Sequence, residues 1–401
     1  MSALQIKVSS IKSFILLTML LAPSLFNTAL SIINANLFPV NTGMVIVGEL
    51  LILSYFAWFV LSQGIKVTES FIFIPIMAAV FALIYGSLAA GWLTLDYFRL
   101  MLICVLGYLT GRRLSLEQLT LAVKVLVVIV FAVLLLEMIS VETYGRWFSP
   151  STYYANTRGH AVKEFNETGL FNNALSFEGR FTYGIWSGAR TSSVFLEQVS
   201  LSNFITVLAA ALITLKSGFK RGWLVFFGAF MLVALVTNEG RSSLVLTIIL
   251  LLGYFIFPRL PRWLAMIMIP GILLAGVVFL QLYTEGYSDT FLGRIYLGFD
   301  YLYHLTPSEV VGLGAAKLNQ LWDAGYAYLV VSGTLLGFLA FVYLLWFHNA
   351  ARGNTASRGY WAINLFYAFN LCVAASAVFT IKMAFLLWVV AGFASIRKSN
   401  S

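Results

Sequence analysis

Ionisable residues are scarce in this chain, and those with chemical potential fall into four clusters. The first is Arg190-Thr191-Ser192-Ser193-Val194-Phe195-Leu196-Glu197-Gln198-Val199-Ser200-Leu201-Ser202-Asn203-Phe204. Here Arg190 lies just outside an apolar run, and Glu197 is expected about two helical turns inside it. Glu197, Ser200 and Asn203 recur at intervals of three, which puts them on one helical face. A charge at the mouth of an apolar span is costly unless it faces protein or a wet cavity, so it marks a candidate site. The second cluster is Asn238-Glu239-Gly240-Arg241-Ser242-Ser243, a tight hairpin between two apolar runs. The third holds Arg294, His304, Glu309 and Lys317 with the run Val311-Gly312-Leu313-Gly314, and the fourth is Asp323-Ala324-Gly325-Tyr326.

Arginine suits phosphate because its planar fork donates two parallel hydrogen bonds and never deprotonates. Arg190, Arg241 and Arg294 are therefore candidate diphosphate ligands, with lipid head groups and nearby carboxylates as competing partners. Imidazole titrates near neutrality, so His304 is a candidate general base, and Glu197 and Asp323 are the carboxylate alternatives. Ser200, Asn203, Tyr326 and Lys317 are candidate substrate-lining groups. Asp323 also fits a helix N-cap, and Gly333 with Gly337 has the spacing of close helix packing.

The elements that must position these residues are membrane helices. Of the 401 residues, 60% are hydrophobic and 10% charged, with a mean hydropathy of +0.90, far from the roughly 25% charged residues of soluble proteins. Apolar runs long enough to cross a hydrocarbon core recur about twelve times, near 13–34, 43–62, 70–90, 93–110, 118–139, 194–215, 222–238, 243–257, 263–283, 323–347, 359–379 and 381–396. The expected architecture is an all-α polytopic membrane protein forming a single transmembrane domain over 1–401. The first run is expected to stay as an anchor rather than a cleaved leader.

Basic residues mark every second connection: Lys7 and Lys12, Lys66, Arg112 and Arg113, Lys216 with Lys220 and Arg221, Arg259 and Arg262, Arg352 and Arg358, Arg397 and Lys398. By the positive-inside rule these lie in the cytoplasm, with both termini. That side then carries 14 of the 25 basic residues against Glu69 and Glu117, a net of +12, and the remainder is net −3. The overall +9 is thus a topological signature and gives no reason to expect a nucleic-acid partner. Two long segments, 140–193 and 284–322, fall on the outer side. The aromatics of the first, Tyr144, Trp147, Phe148, Tyr153, Tyr154, Phe165, Phe171, Phe177, Phe181, Tyr183 and Trp186, are enough to fold it back onto the membrane face.

No nucleotide-binding loop and no zinc spacing occurs, so neither ATP-driven transport nor a metal site is expected. Internal repeats typical of many secondary transporters are not evident. Cys104 and Cys372 fall within apolar runs and read as packing residues. Asp96 and Arg99 read as a structural ion pair, and Lys124 as a snorkelling lysine.

The arginine-led motif at 190–204, the hairpin arginine in Asn238-Glu-Gly-Arg241-Ser-Ser, and Val311-Gly-Leu-Gly314 followed by Asp323-x-Gly325-Tyr326 and Gly333 resemble the bacterial O-antigen polymerase and O-antigen ligase superfamily of membrane glycosyltransferases. The likeness spans roughly 185–345. The ligase branch would carry a His-Asn type pair before its glycine; this chain has Trp322-Asp323, which favours the polymerase branch. The resemblance implies a GT-C-like, multi-pass protein of the bacterial inner membrane. It implies metal-independent, inverting transfer of a polyprenyl-diphosphate-linked oligosaccharide to an acceptor hydroxyl, with no cofactor and a chain-length regulator as a possible partner. A ligase, or a flippase for a lipid-linked sugar, remains the alternative.

Overall fold

The computed structural model describes residues 3–163, 166–175, 182–288, 290–321, 323–348, 351 and 353–396, with side chains from 13 onward. Phe165, Phe177, Phe181, Trp322, Arg352, Arg397 and Lys398, and the side chains of Lys7 and Lys12, lie outside that description. Among the described residues every regular element is a helix. In chain order the α-helices are α1 (Ala3–Asn36), α2 (Thr42–Leu61), α3 (Phe73–Ala90), α4 (Asp96–Gly111), α5 (Leu116–Ile139), α6 (Val141–Phe148), α7 (Pro150–Arg158), α8 (Gln198–Leu215), α9 (Arg221–Asn238), α10 (Arg241–Ile256), α11 (Arg262–Leu282), α12 (Phe291–Tyr303), α13 (Pro307–Val310), α14 (Gly325–Phe347), α15 (Asn354–Asn370) and α16 (Ile381–Ala394).

Nine helical segments among the described residues are long and apolar enough to cross a membrane, which makes this a polytopic membrane protein. A helix is the natural choice there because it satisfies every backbone polar group internally. Three expected runs give shorter helices: α4 has 16 residues, α15 has 17 and α16 has 14. At ~1.5 Å per residue these reach about 21–26 Å, short of a ~30 Å hydrocarbon core. The run expected over 359–379 ends as a helix at Asn370. There Gly325 lies against the following backbone so closely that a Cβ would sit 2.3 Å from the Ala374 carbonyl oxygen.

The chain divides into two compact units, Met1–Phe56 with Leu114–Thr247 and Ile381–Met383, and Ala57–Arg113 with Ile248–Thr380 and Ala384–Ser401. In the first unit α8 is the central helix: 89% of its apolar window is buried. A polar stripe on α1, Ser24, Asn27, Thr28 and Ser31, faces inward at helical spacing. Ser24 donates to the Lys382 carbonyl at 2.8 Å, Thr28 to the Val194 carbonyl and Ser31 to the Phe148 carbonyl, while Asn27 accepts from Tyr153 at 2.6 Å. These bonds fasten α6, α7 and the segment before α8 to one helix. Within the segment 140–193, Tyr144, Phe148, Tyr153 and Tyr154 form a core with Val40, Leu170 and Leu196. Lys124 lies over the rings of Phe219 and Trp223, at 5.8 and 5.6 Å from their centroids, so aromatic faces hold its charge.

In the second unit α3, α4 and α14 pack together. The Gly333 and Gly337 pair does serve close packing: the Tyr97 ring of α4 occupies the groove, and its hydroxyl donates to the Gly337 carbonyl at 2.5 Å. A Cβ on Gly333 would fall 2.3 Å from that ring. Beside Gly333 the helix is interrupted at Thr334, whose φ is +64°. Gly312, at φ +97°, brings the Val311-Gly312-Leu313-Gly314 turn against Thr334, where a Cβ would meet the threonine methyl at 2.8 Å. By contrast α11 is mostly exposed, with Leu274 at 69% and Leu282 at 77%, as a lipid-facing helix requires.

Candidate functional site

The segment 190–197 is not the first two turns of a membrane helix. It is an irregular, buried stretch with one 3-10 turn at Ser193–Phe195, and α8 begins only at Gln198 with Glu197 as its N-cap residue. The cause lies in α5. The Glu137 carboxylate, 2% exposed, accepts the Ser192 amide at 2.9 Å, the Ser193 amide at 2.6 Å and the Ser192 hydroxyl at 3.1 Å. Tyr144 adds a bond from its hydroxyl to the Ser193 carbonyl at 2.7 Å. Amides claimed in this way cannot continue a helical ladder, so the chain turns through positive φ at Ser193 (+50°) and Leu196 (+66°). Non-glycine residues persist there only when their surroundings hold them.

This path sets Arg190 against the end of α9. Its Nε donates to the Asn238 carbonyl at 2.8 Å and one terminal nitrogen to the Glu239 carbonyl at 2.6 Å; the Glu239 carboxylate is 3.9 Å away. Carbonyls at a helix C-terminus lack intrahelical donors, and the guanidinium supplies them. Asn238 answers from the other side, its amide donating to the carbonyls of Thr191 at 2.8 Å and Gln198 at 2.9 Å. The expected hairpin is present and is two residues long. Glu239 adopts φ +57°, Gly240 follows, and α10 starts at Arg241. Gly240 is required: a Cβ would lie 2.2 Å from the Ser202 hydroxyl of α8. The Glu239 carboxylate accepts from the Thr182 hydroxyl and from the Tyr183 amide at 3.1 Å. Arg190 and Arg241 both act electrostatically on the Tyr183 hydroxyl, which burial raises above its ordinary pKa and the two arginines pull back. The hairpin thus gathers two arginines, one carboxylate and the opening amides of α10.

A second charged cluster of the same unit contains residues the sequence did not single out. Arg158, at the end of α7, bridges Glu197 at 3.0 Å, and Ser200 donates to the other carboxylate oxygen at 2.6 Å. Lys382, 1% exposed, donates to the Tyr154 hydroxyl and to the Phe195 carbonyl, each at 3.1 Å. The Tyr154 ring lies under both cations, 4.5 Å from Arg158 and 5.7 Å from Lys382. Burial opposes ionisation of Glu197, but the charges of Arg158 and then Lys382, with hydrogen bonds from Ser200 and Tyr154, outweigh it and hold the carboxyl down to about 2. Such a carboxylate anchors cations and is a poor proton acceptor at neutral pH. Asn203 is buried in the second turn of α8, with no hydrogen-bond partner for its Nδ2 among the described residues.

The remaining candidates belong to the second unit. Arg294 is in the first turn of α12, half-buried. His304 closes α12, exposed, with Nδ1 3.1 Å from the Asp300 carboxylate and 2.9 Å from the Asp300 carbonyl. Asp300, an unremarked residue in the sequence, thereby orients the imidazole. Lys317 pairs with Glu309, whose carboxyl is held below its usual range by that lysine and by the Thr306 amide. Asp323 is not a cap: Ala324 occupies the N-cap position of α14, with no side-chain capping bond. Tyr326 is buried, and its hydroxyl donates to the Ala368 carbonyl at 2.9 Å. Among the described residues no three His, Cys, Asp or Glu side chains converge as metal ligands. Comparison with protein-family models, curated proteins and solved structures returns no match.

Proposed function

We propose that this chain is a polysaccharide polymerase of the bacterial inner membrane. It would transfer a polyprenyl-diphosphate-linked glycan, at the periplasmic face, onto the non-reducing-end hydroxyl of another lipid-linked repeat unit. Twelve membrane passes with both termini cytoplasmic and 140–193 and 284–322 outside complete the reading. The observation that carries it is the hairpin at Gly240, where Arg190 ties off the end of α9, Arg241 opens α10, and both act on Tyr183. Opening amides and the positive end of a helix favour an anion, and an arginine fork grips two of its oxygens at once. In the reaction the acceptor oxygen bonds to the anomeric carbon as the bond from that carbon to the diphosphate oxygen breaks. The electron pair leaves with the diphosphate, and the arginines stabilise the charge that develops there, with no metal needed. The acceptor proton goes to a base. His304 suits that role, because Asp300 fixes Nδ1 and leaves Nε2 as the acceptor, as in a His-Asp pair.

The test uses the purified full chain in nanodiscs with synthetic polyprenyl-diphosphate repeat units in EDTA. Chain growth without another enzyme is expected, slowed about 10²–10³-fold by Arg241→Ala and by Arg190→Ala. Unchanged growth in both variants overturns the diphosphate assignment, and the absence of growth with accumulation of translocated substrate favours a flippase. The His304 role is tested apart from the arginines, since each belongs to its own unit.

A further inference from the structure

The second unit holds a cleft of about 480 Å³ that none of the roles above uses. Its walls come from four places in the chain. Trp92 and Thr94 precede α4, and Asp96 opens it; Asn319 lies in the 3-10 turn Ala315–Gln320; Tyr328 is in the first turn of α14; and Ser376 begins the 3-10 turn Ser376–Phe379. By the charge pattern of the sequence, all four lie at outer ends of their helices.

The chemistry of this lining is selective. Trp92 is 55% exposed, so an indole face is open to a ligand. The Tyr328 hydroxyl sits 3.4 Å from Asp96 Oδ1, which leaves the second carboxylate oxygen able to accept further donors. Asn319 and Ser376 are exposed and can each donate and accept. No lysine or arginine is among the described lining residues, so the one charged group a phosphate or a uronate meets there is the Asp96 carboxylate. A cation is disfavoured as well: Arg99, one turn along α4, acts on the same Tyr328 hydroxyl as Asp96 and offsets its charge. What remains is a neutral ligand with an apolar face for the indole and several hydroxyls for the carboxylate, amide and serine. The volume lies within the ~300–1,000 Å³ of small-molecule sites.

We infer that the Trp92–Asp96–Asn319 cleft binds an uncharged sugar ring, with Trp92 stacking on its C–H face and Asp96 accepting from adjacent hydroxyls. Placing that ring at the acceptor end of the growing glycan rests on the polymerase reading; the binding itself does not.

The experiment is saturation-transfer NMR on the full chain in nanodiscs with millimolar methyl glycosides of glucose, galactose, mannose and N-acetylglucosamine. Choline and glucuronate are the charged controls. At least one neutral glycoside is expected to bind saturably, with affinity reduced about tenfold by Trp92→Ala and reduced again by Asp96→Asn. The inference is overturned if no neutral glycoside binds, if both cleft variants bind as the parent does, or if choline or glucuronate binds there in preference. Sugar binding without chain growth would keep the cleft and remove the polymerase; chain growth whose acceptor KM ignores Trp92→Ala would do the reverse.

Discussion

Replacing Glu197 by glutamine removes one charge from a place where two cations depend on it. Glu197 is 7% exposed, is bridged by Arg158, and shares its cluster with the buried Lys382. Its carboxyl is moved from 4.5 to about 2. At ~1.36 kcal/mol per pKa unit, that displacement corresponds to roughly 3 kcal/mol favouring the ionised, folded form. Arg158 is 40% exposed, so solvent screens part of its share, and about 2–3 kcal/mol is the expected loss at pH 7. For a unit of this size the melting temperature should fall by about 5–10 °C, followed by tryptophan fluorescence of the purified chain. The sign fixes the pH window. A carboxyl held low contributes fully above its unfolded value of 4.5, and the contribution vanishes as pH falls towards 2. The parent should therefore lose its advantage over Glu197→Gln across that window. Adding Lys382→Met to Glu197→Gln should restore at least half of the loss, because it removes the buried charge left without its counterion. A Glu197→Gln protein that melts within about 1 °C of the parent at pH 7 would refute the reasoning.

Glu137→Gln should leave the Ser192 and Ser193 amides with one acceptor oxygen where they now share two, costing about 1–3 kcal/mol, and should lower chain growth as well, because Arg190 follows the same backbone; a variant that melts lower with full activity would separate the two. Gly333→Ala should destabilise by about 1–3 kcal/mol through collision with Tyr97, and Gly337→Ala by less, since its Cβ would stand 2.9 Å from that ring rather than 2.3 Å; calorimetry of the two variants checks the order. His304→Ala should slow chain growth about 10²–10⁴-fold, with Asp300→Asn showing a smaller loss of the same kind in kcat and little in KM.

Much of the fold is legible in one dimension, because a membrane helix is announced by the length of its own apolar run. Helix ends are a different matter. Val194, Phe195 and Leu196 are as apolar as any membrane helix, so hydropathy places the start of α8 near 194. The structure starts it at Gln198 because Glu137, 55 residues earlier, captures the Ser192 amide. Nothing local to the segment carries that information. The Glu197 cluster is hidden for the same reason: Arg158 is 39 positions away, and Tyr154 and Lys382 are 228 apart. One signal was available, since a lysine one residue inside the apolar helix at 381–394 is a charge in apolar surroundings and requires a partner. Short-range features fared better. The two-residue hairpin at Glu239-Gly240 and the packing role of Gly333 and Gly337 are each visible in a window of a few residues.

The two hairpin arginines do different jobs. Arg190 has Nε and a terminal nitrogen committed to carbonyls at the end of α9, where the helix dipole is negative and repels an anion. Arg241 stands at the opposite pole, on the first residue of α10, where dipole and opening amides attract one. Arg190 therefore serves first as a brace. By tying off the carbonyls of Asn238 and Glu239 it offsets the negative pole of α9 just before α10 begins. Its own position is set by the Glu137 anchor, through a stretch of backbone held at positive φ. A buried side chain in α5 thus sets the position of a guanidinium at the α9–α10 hairpin without touching it, and the motif around Arg190 is as much a backbone device as a charged one.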